Sequence, residues 1–189
     1  MTTAGSLPVP HNWINDRFGS KRGLLKYSLF EAKRMAGLYS SIKIARNTQP
    51  ERFVFVCVGN ICRSPLAEAM AKSKGYNAIS YGLDTRGDDY ADPRAIAFAQ
   101  KHKLNLAQHR TRKIEDYIEY EGDLIVGMEP GHLLSLKGKN YMSDVTLLGL
   151  YAPKAMAYIH DPYNTNSHYF SLCESTVIES TLSLLSHVG

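Results

Sequence analysis

Phe53-Val54-Phe55-Val56-Cys57-Val58-Gly59-Asn60-Ile61-Cys62-Arg63-Ser64-Pro65 is the stretch on which the reading of this chain turns. Four apolar residues of high β propensity run into a cysteine, so a buried strand ends at Cys57. The short loop that follows holds Gly59, which allows close backbone approach, and Asn60, the non-glycine residue most tolerant of a left-handed conformation. Pro65 then opens a run of helix formers from Leu66 to Lys74. A strand–loop–helix junction of this kind turns backbone N–H groups inward, and the helix N-terminus adds its positive end, so the loop favours an oxyanion. The same field stabilises a thiolate at Cys57. Arg63, six positions on, supplies a planar fork for two phosphate oxygens, and the Ser64 hydroxyl can donate to the sulfur. The pattern predicts a phosphate cradle with a sulfur nucleophile at its floor.

Outward from this loop the hydrophobic periods alternate. Strands are expected at 53–58, 78–82, 123–128 and 145–148, and helices at 65–74, 93–102, 130–136 and 167–187. Asp92 is the expected N-cap of the second of these helices, with Pro93 in its first turn. Short, nearly all-apolar strands separated by helices imply an α/β fold: one domain with a four-stranded parallel twisted sheet, helices on both faces and a helical N-terminal extension. In such sheets ligands collect beyond the carboxyl ends of the strands, which is where the cysteine loop lies.

The 189 residues suffice for one ordinary domain plus an appendage, and 44% apolar with 21% charged content suits a globular protein. Three cysteines do not make a disulfide framework. The C-x4-C pair Cys57 and Cys62 fits thiol chemistry in a reducing compartment, and Cys173, in an apolar-periodic segment, reads as a buried structural thiol. No apolar stretch approaches a membrane span and no secretory signal is apparent, so a cytoplasmic location is expected. No second Cys/His pair completes a zinc site, and no Gly-Lys-Ser/Thr completes a Walker loop.

The charge is uneven. Residues 1–50 carry eight Lys or Arg against Asp16 and Glu31, a net of +6, which leaves −2 to the remainder of a chain whose total is +4. The basic character belongs to the extension, and residues 51–189 show no basic–aromatic motif for nucleic acid. Residues 1–23 read as loose or peripheral. A helix is expected over 24–45, with Leu25, Leu29, Ala32, Ala36, Tyr39 and Ile42 forming an apolar stripe and Lys26, Lys33 and Arg34 on another face. Asn47 to Pro50 reads as a linker, which divides the chain into an extension at 1–50 and a domain at 51–189. The extension either packs the stripe of its helix on the domain, or is a disordered tail, or contacts a protein partner or an anionic membrane.

A thiolate attacking phosphorus expels an oxygen that needs a proton, so a carboxylic acid must face the loop. Asp161-Pro162-Tyr163 offers one, on a loop stiffened by Pro162, with Tyr163 able to line the mouth; a plain Asp-Pro turn accounts for the same residues.

Val56 to Pro65, with Ala67-Glu68 just after, resembles the signature of the low-molecular-weight protein tyrosine phosphatases. The resemblance extends through Asp92-Pro93-Arg94, His109-Arg110-Thr111-Arg112, Asp123 to Met128, Leu147-Leu148-Gly149 and Asp161-Pro162-Tyr163, covering about residues 52–189. It implies that Cys57 attacks a phosphotyrosine protein substrate and forms a cysteinyl-phosphate, with no metal or organic cofactor. It implies that Arg63 and the loop residues Val58, Gly59, Asn60, Ile61, Cys62 and Ser64 hold the phosphate oxygens, and that Asp161 is acid and then base. Ser80 and His109 fall at positions that support Asn60, and Cys62 at the position of a cysteine that can pair reversibly with the nucleophile. Two departures bear on specificity. Residues 82–90 run one residue short, so the rim aromatic has no clear place unless Tyr90 supplies it, and Asn164 stands where a second aromatic or a glycine is common. A thinner aromatic wall implies an altered substrate preference. Asp88 and Asp89 either select basic flanks or lie solvated.

Two other functions fit the loop. An arsenate reductase would need a resolving cysteine in a mobile segment, and Cys173 lies in an expected helix. A non-catalytic phosphotyrosine-binding module would need no acid, whereas Cys57, Arg63 and Asp161 occur together.

Overall fold

The computed structural model describes residues 12–189. In chain order its elements are α1 (Trp13–Phe18), α2 (Lys21–Met35), β1 (Arg52–Cys57), α3 (Arg63–Ser73), β2 (Ala78–Gly82), α4 (Pro93–Lys101), β3 (Asp123–Gly127), α5 (Pro130–Lys137), β4 (Asp144–Leu147) and α6 (Ser167–Val188), with three short 3₁₀ turns between them. The four strands form one parallel sheet in the order β2-β1-β3-β4. Residues 53–57 of β1 and all of β3 are buried, as strands covered on both faces must be.

Topology places the loop. From β1 the chain steps to β2 on one side, and it later returns to β3 on the other. The β1–α3–β2 and β3–α5–β4 crossovers therefore travel in opposite directions across the sheet. With right-handed connections this puts α3 and α5 on opposite faces. Cys57 ends β1 opposite Gly82 of β2, while Val56 pairs with Gly127 of β3. The loop after Cys57 thus leaves the sheet at its switch point. At the other end of the same strands the Arg52 guanidinium clamps Asp123 through both carboxylate oxygens, at 2.8 and 2.6 Å, and Tyr117 donates to Asp123 at 2.7 Å.

Each expected strand and helix of 51–189 forms within two residues of its predicted ends. Asp92 caps α4 by accepting from the Arg94 N–H at 2.8 Å. The extension differs. Its main helix covers Lys21–Met35 rather than 24–45, ending before Gly37, whose φ of 80° suits a residue without a side chain. Part of the segment expected to be loose is helical: α1 packs on α2 and α6, while residues 1–11 lie outside the described chain. The expected stripe splits. Tyr39 and Ile42 pack on the core, but Leu25 is 71% and Leu29 51% exposed. The inward face of α2 is Gly23, Tyr27 and Phe30, with Phe30 5.4 Å from the Tyr158 ring. The residues read as a linker are tied down as well: Asn47 and Gln49 N–H groups donate to the carbonyls of His187 and Val188. Among the described residues no helix is long and apolar enough to cross a membrane.

Candidate active site

Cys57 is buried at the carboxyl edge of β1, and α3 starts at Arg63, so the loop between them is held at both ends by regular structure. Asn60 organises it. Its φ of 55° turns the chain, and its N–H donates to Cys57 Sγ at 3.2 Å. Its side-chain nitrogen donates to Ser64 Oγ at 2.9 Å and Ser80 Oγ at 2.8 Å, and its Oδ1 accepts from the Arg112 N–H at 2.9 Å. Its carbonyl accepts from His109 Nε2 at 2.8 Å, which fixes the proton of that neutral ring on Nε2. Burial lowers the pKa of His109 and keeps it neutral.

Ser80 donates to Glu68 Oε2 at 2.6 Å, so it can only accept from Asn60. Ser64 likewise accepts from Asn60, and its oxygen lies 3.0 Å from Cys57 Sγ and 3.5 Å from the Tyr81 carbonyl, to either of which its hydrogen can turn. A hydroxyl and a backbone N–H thus lie within hydrogen-bond reach of the sulfur. Glu68 is completed by Lys72 at 2.6 Å and Arg112 at 3.3 Å.

Arg63 is 1% exposed, and its donors point to the opposite wall. One terminal nitrogen donates to the Ile159 carbonyl at 2.9 Å and the other meets Asp161 Oδ2 at 3.1 Å. Its Nε has no hydrogen-bond partner among the described residues. Burial opposes the charge of the guanidinium, but Asp161 and Cys57 more than offset it and hold its pKa above the usual value. Asp161 is partly exposed and accepts from the Tyr163 N–H at 3.3 Å. Arg94 ties this acid loop to the cysteine loop. It grips Asp92 and reaches the carbonyls of Tyr163 at 2.6 Å and Thr165 at 3.3 Å, while the Asp92 N–H donates to the Ile61 carbonyl at 2.9 Å.

All the residues singled out in the sequence meet here. Val58 to Ser64 form the loop, Ser80 and His109 brace Asn60, and Asp161 faces Arg63. Tyr163 is exposed beside Asp161, with Asn164 exposed next to it. Tyr90 is exposed two residues before Asp92, with the Arg110 guanidinium 3.5 Å over its ring; Asp88 lies in solvent 3.9 Å from Arg110. The three cysteines are free and buried, and Cys173 Sγ donates to the His160 carbonyl at 3.5 Å, so the reading of a structural thiol holds. Burial drives the Cys62 thiol far above its usual pKa.

Sequence reasoning missed the bracing roles of Glu68, Arg94 and Arg112, although all three lay inside quoted motifs. It also missed the Ile159 carbonyl, for which no side-chain pattern exists. Glu174 of α6 was missed too: it is fully buried, neither carboxylate oxygen has a partner among the described residues, and burial pushes its pKa up to about 8 despite Arg63. A lone Glu amid the apolar periodicity of 167–187 was the available signal.

Fold and loop together define an α/β protein whose first strand runs into a buried cysteine–arginine loop. Residues 52–188 match the family model described as low molecular weight phosphotyrosine protein phosphatase. The protein of that name from Sus scrofa is 35% identical over 133 residues, covering 62% of this chain and 82% of its own. The low molecular weight protein-tyrosine-phosphatase Wzb of Salmonella typhi is 35% identical over 123 residues, covering 63% and 81%. Among solved structures, the tyrosine phosphatase Wzb from Escherichia coli K30 in complex with sulphate superposes with a TM-score of 0.65 at 26% identity, over 75% of this chain and all of that one. The chain belongs to the low molecular weight phosphotyrosine protein phosphatase family.

Proposed function

We propose that this protein hydrolyses phosphotyrosine in proteins with Cys57 as nucleophile and Asp161 as general acid and base. The observation that carries this reading is the placement of the Asp161 carboxylate 3.1 Å from an Arg63 nitrogen, across from the loop that presents Cys57. A phosphate monoester seated in the loop takes over Arg63 Nε and the nitrogen now facing Asp161. The carboxyl then faces the ester oxygen instead of a cation. Cys57 sulfur attacks phosphorus as the tyrosyl oxygen leaves, and Asp161 delivers the proton to that oxygen. A water molecule then attacks the cysteinyl-phosphate, Asp161 takes its proton, the S–P bond breaks and inorganic phosphate departs. Loop N–H groups and Arg63 hold the equatorial oxygens through both transition states. Tyr163, exposed beside Asp161, supplies a sparse aromatic wall, which favours an aryl group over an alkyl one.

The test is phenol release from phenyl phosphate. Cys57→Ser abolishes it, and Asp161→Asn lowers kcat about 10²- to 10⁴-fold, the usual range for a general acid. Activity that survives Cys57→Ser refutes the nucleophile.

The outward face of α2 supports a contact with an anionic membrane. Leu25, Leu29, Ala32 and Ala36 are exposed on it, Lys21, Arg22 and Lys33 flank them, and Glu31 lies on another side, paired with Arg34. An exposed apolar stripe bordered by cations matches an anionic lipid surface.

A further inference from the structure

The segment that carries Asp161 is gripped from behind by residues outside the matched family region. His160, immediately before Asp161, is fixed at both ring nitrogens: Nδ1 lies 2.6 Å from the Tyr158 hydroxyl and Nε2 lies 3.3 Å from Ser20 Oγ. Ser20 is the N-cap of α2. Its oxygen accepts from the Gly23 N–H at 2.9 Å, so its hydrogen is free to donate to Nε2. Burial and the nearby Arg63 hold the pKa of His160 below its ordinary value. The ring is thus hydrogen-bonded through both nitrogens, to Tyr158 on one side and to Ser20 on the other.

The elbow between α1 and α2 is shaped to this ring. A Cβ on Gly23 would run into the Phe18 carbonyl and lie 2.9 Å from His160 Cδ2, and one on Gly19 would lie 2.6 Å from Cδ2 and 2.9 Å from Thr165. A side chain at Gly19 would press directly on the acid loop, and one at Gly23 on the Phe18 backbone first and on the His160 ring next. The extension also holds the segment after Asp161, where Asp16 accepts from Asn166 Nδ2 at 2.7 Å at the start of α6. Lys26 and Phe30 of α2 cover the Tyr158 ring. The acid segment is thus pinned on both sides by α1 and α2, and by Arg63 through the Ile159 carbonyl.

We infer that the α1–α2 elbow is a positioning device for the general acid: Ser20 and Gly23, acting through His160, set where the Asp161 carboxyl stands over the Cys57 loop. The inference rests on the reading of Asp161 as the acid. None of these three residues touches the reacting atoms. Their effect must appear as the property an acid confers, which is tolerance of basic leaving groups.

The experiment compares kcat/KM of the full-length protein on p-nitrophenyl phosphate, whose leaving group needs little protonation, and on phenyl phosphate, whose leaving group needs it. Asp161→Asn is the reference and is expected to lose far more on phenyl phosphate. Ser20→Ala and Gly23→Ala are expected to lose about 5- to 50-fold more on phenyl than on p-nitrophenyl phosphate, within the ~10²-fold that small misplacements of reacting groups can cost. Ser20→Thr, which keeps the hydroxyl, restores the wild-type ratio. Should Gly23→Ala not fold, the Ser20 pair decides alone. Equal losses on both substrates, or wild-type ratios in the Ser20→Ala protein while Asp161→Asn shifts its own, would overturn the inference and leave the acid assignment standing. A wild-type ratio in Asp161→Asn overturns the acid assignment and the inference with it.

Discussion

Asn60 makes five polar contacts from a fully buried position, and each has a different partner: the sulfur, two serines, a histidine and a backbone N–H. Removing the side chain strands Ser64, Ser80 and the Arg112 N–H, and each unsatisfied buried group costs about 1–3 kcal/mol. Asn60→Ala should lower the urea midpoint clearly. Asn60→Gly relieves the left-handed backbone but not the lost bonds, and should recover only part of the loss. Glu174 gives a pH dependence of definite sign. Its folded pKa of about 8 lies above the unfolded 4.5, so between those values the native state binds the extra proton and stability falls as pH rises. Glu174→Gln has no proton to lose. Its melting temperature should gain on the wild type steadily from pH 5 to pH 8; a constant difference would show that the carboxyl is not neutral in the fold. At this scale the cysteine loop was legible because its chemistry is local. The Ser20–His160 contact was not, since 140 positions separate the two residues.

Among the elements, strands and helices of the domain were readable because burial on two faces leaves unbroken apolar runs, and because Pro93 and Asp92 mark a start chemically. The extension shows the limit of periodicity. Leu25, Leu29, Ala32 and Ala36 repeat as a core-facing stripe would, but a repeat identifies a face without naming its partner. The partner is Tyr158, and the aromatic pair Tyr27 and Phe30 covers more apolar surface than the leucines and alanines, so α2 turns that way. The two faces are separable by experiment. Leu25→Asp with Leu29→Asp should leave the melting temperature unchanged and abolish co-sedimentation with phosphatidylcholine vesicles containing phosphatidylglycerol. Phe30→Ala should instead speed amide exchange along α2. Sedimentation of the wild type that is the same with and without phosphatidylglycerol would remove the membrane reading, and a dimer dissolved by Leu25→Asp would assign the face to a second copy.

At the scale of the molecule, the extension reaches the acid loop on one side and the end of α6 on the other, while its covalent path between them runs through the exposed bend at Gly37 and Leu38. A protease site placed at that bend would cut the chain without touching the cysteine loop. The freed fragment, with α1 and α2, would remain bound by its non-covalent contacts with the acid loop, among them His160, Tyr158 and Asn166, and by the packing of α1 on α6. The cleaved protein would then behave as a two-component enzyme. Its turnover of phenyl phosphate should decay on dilution and return when synthetic fragment is added, whereas the uncut chain stays indifferent to concentration. A single backbone break would thereby turn an appendage into a dissociable activator.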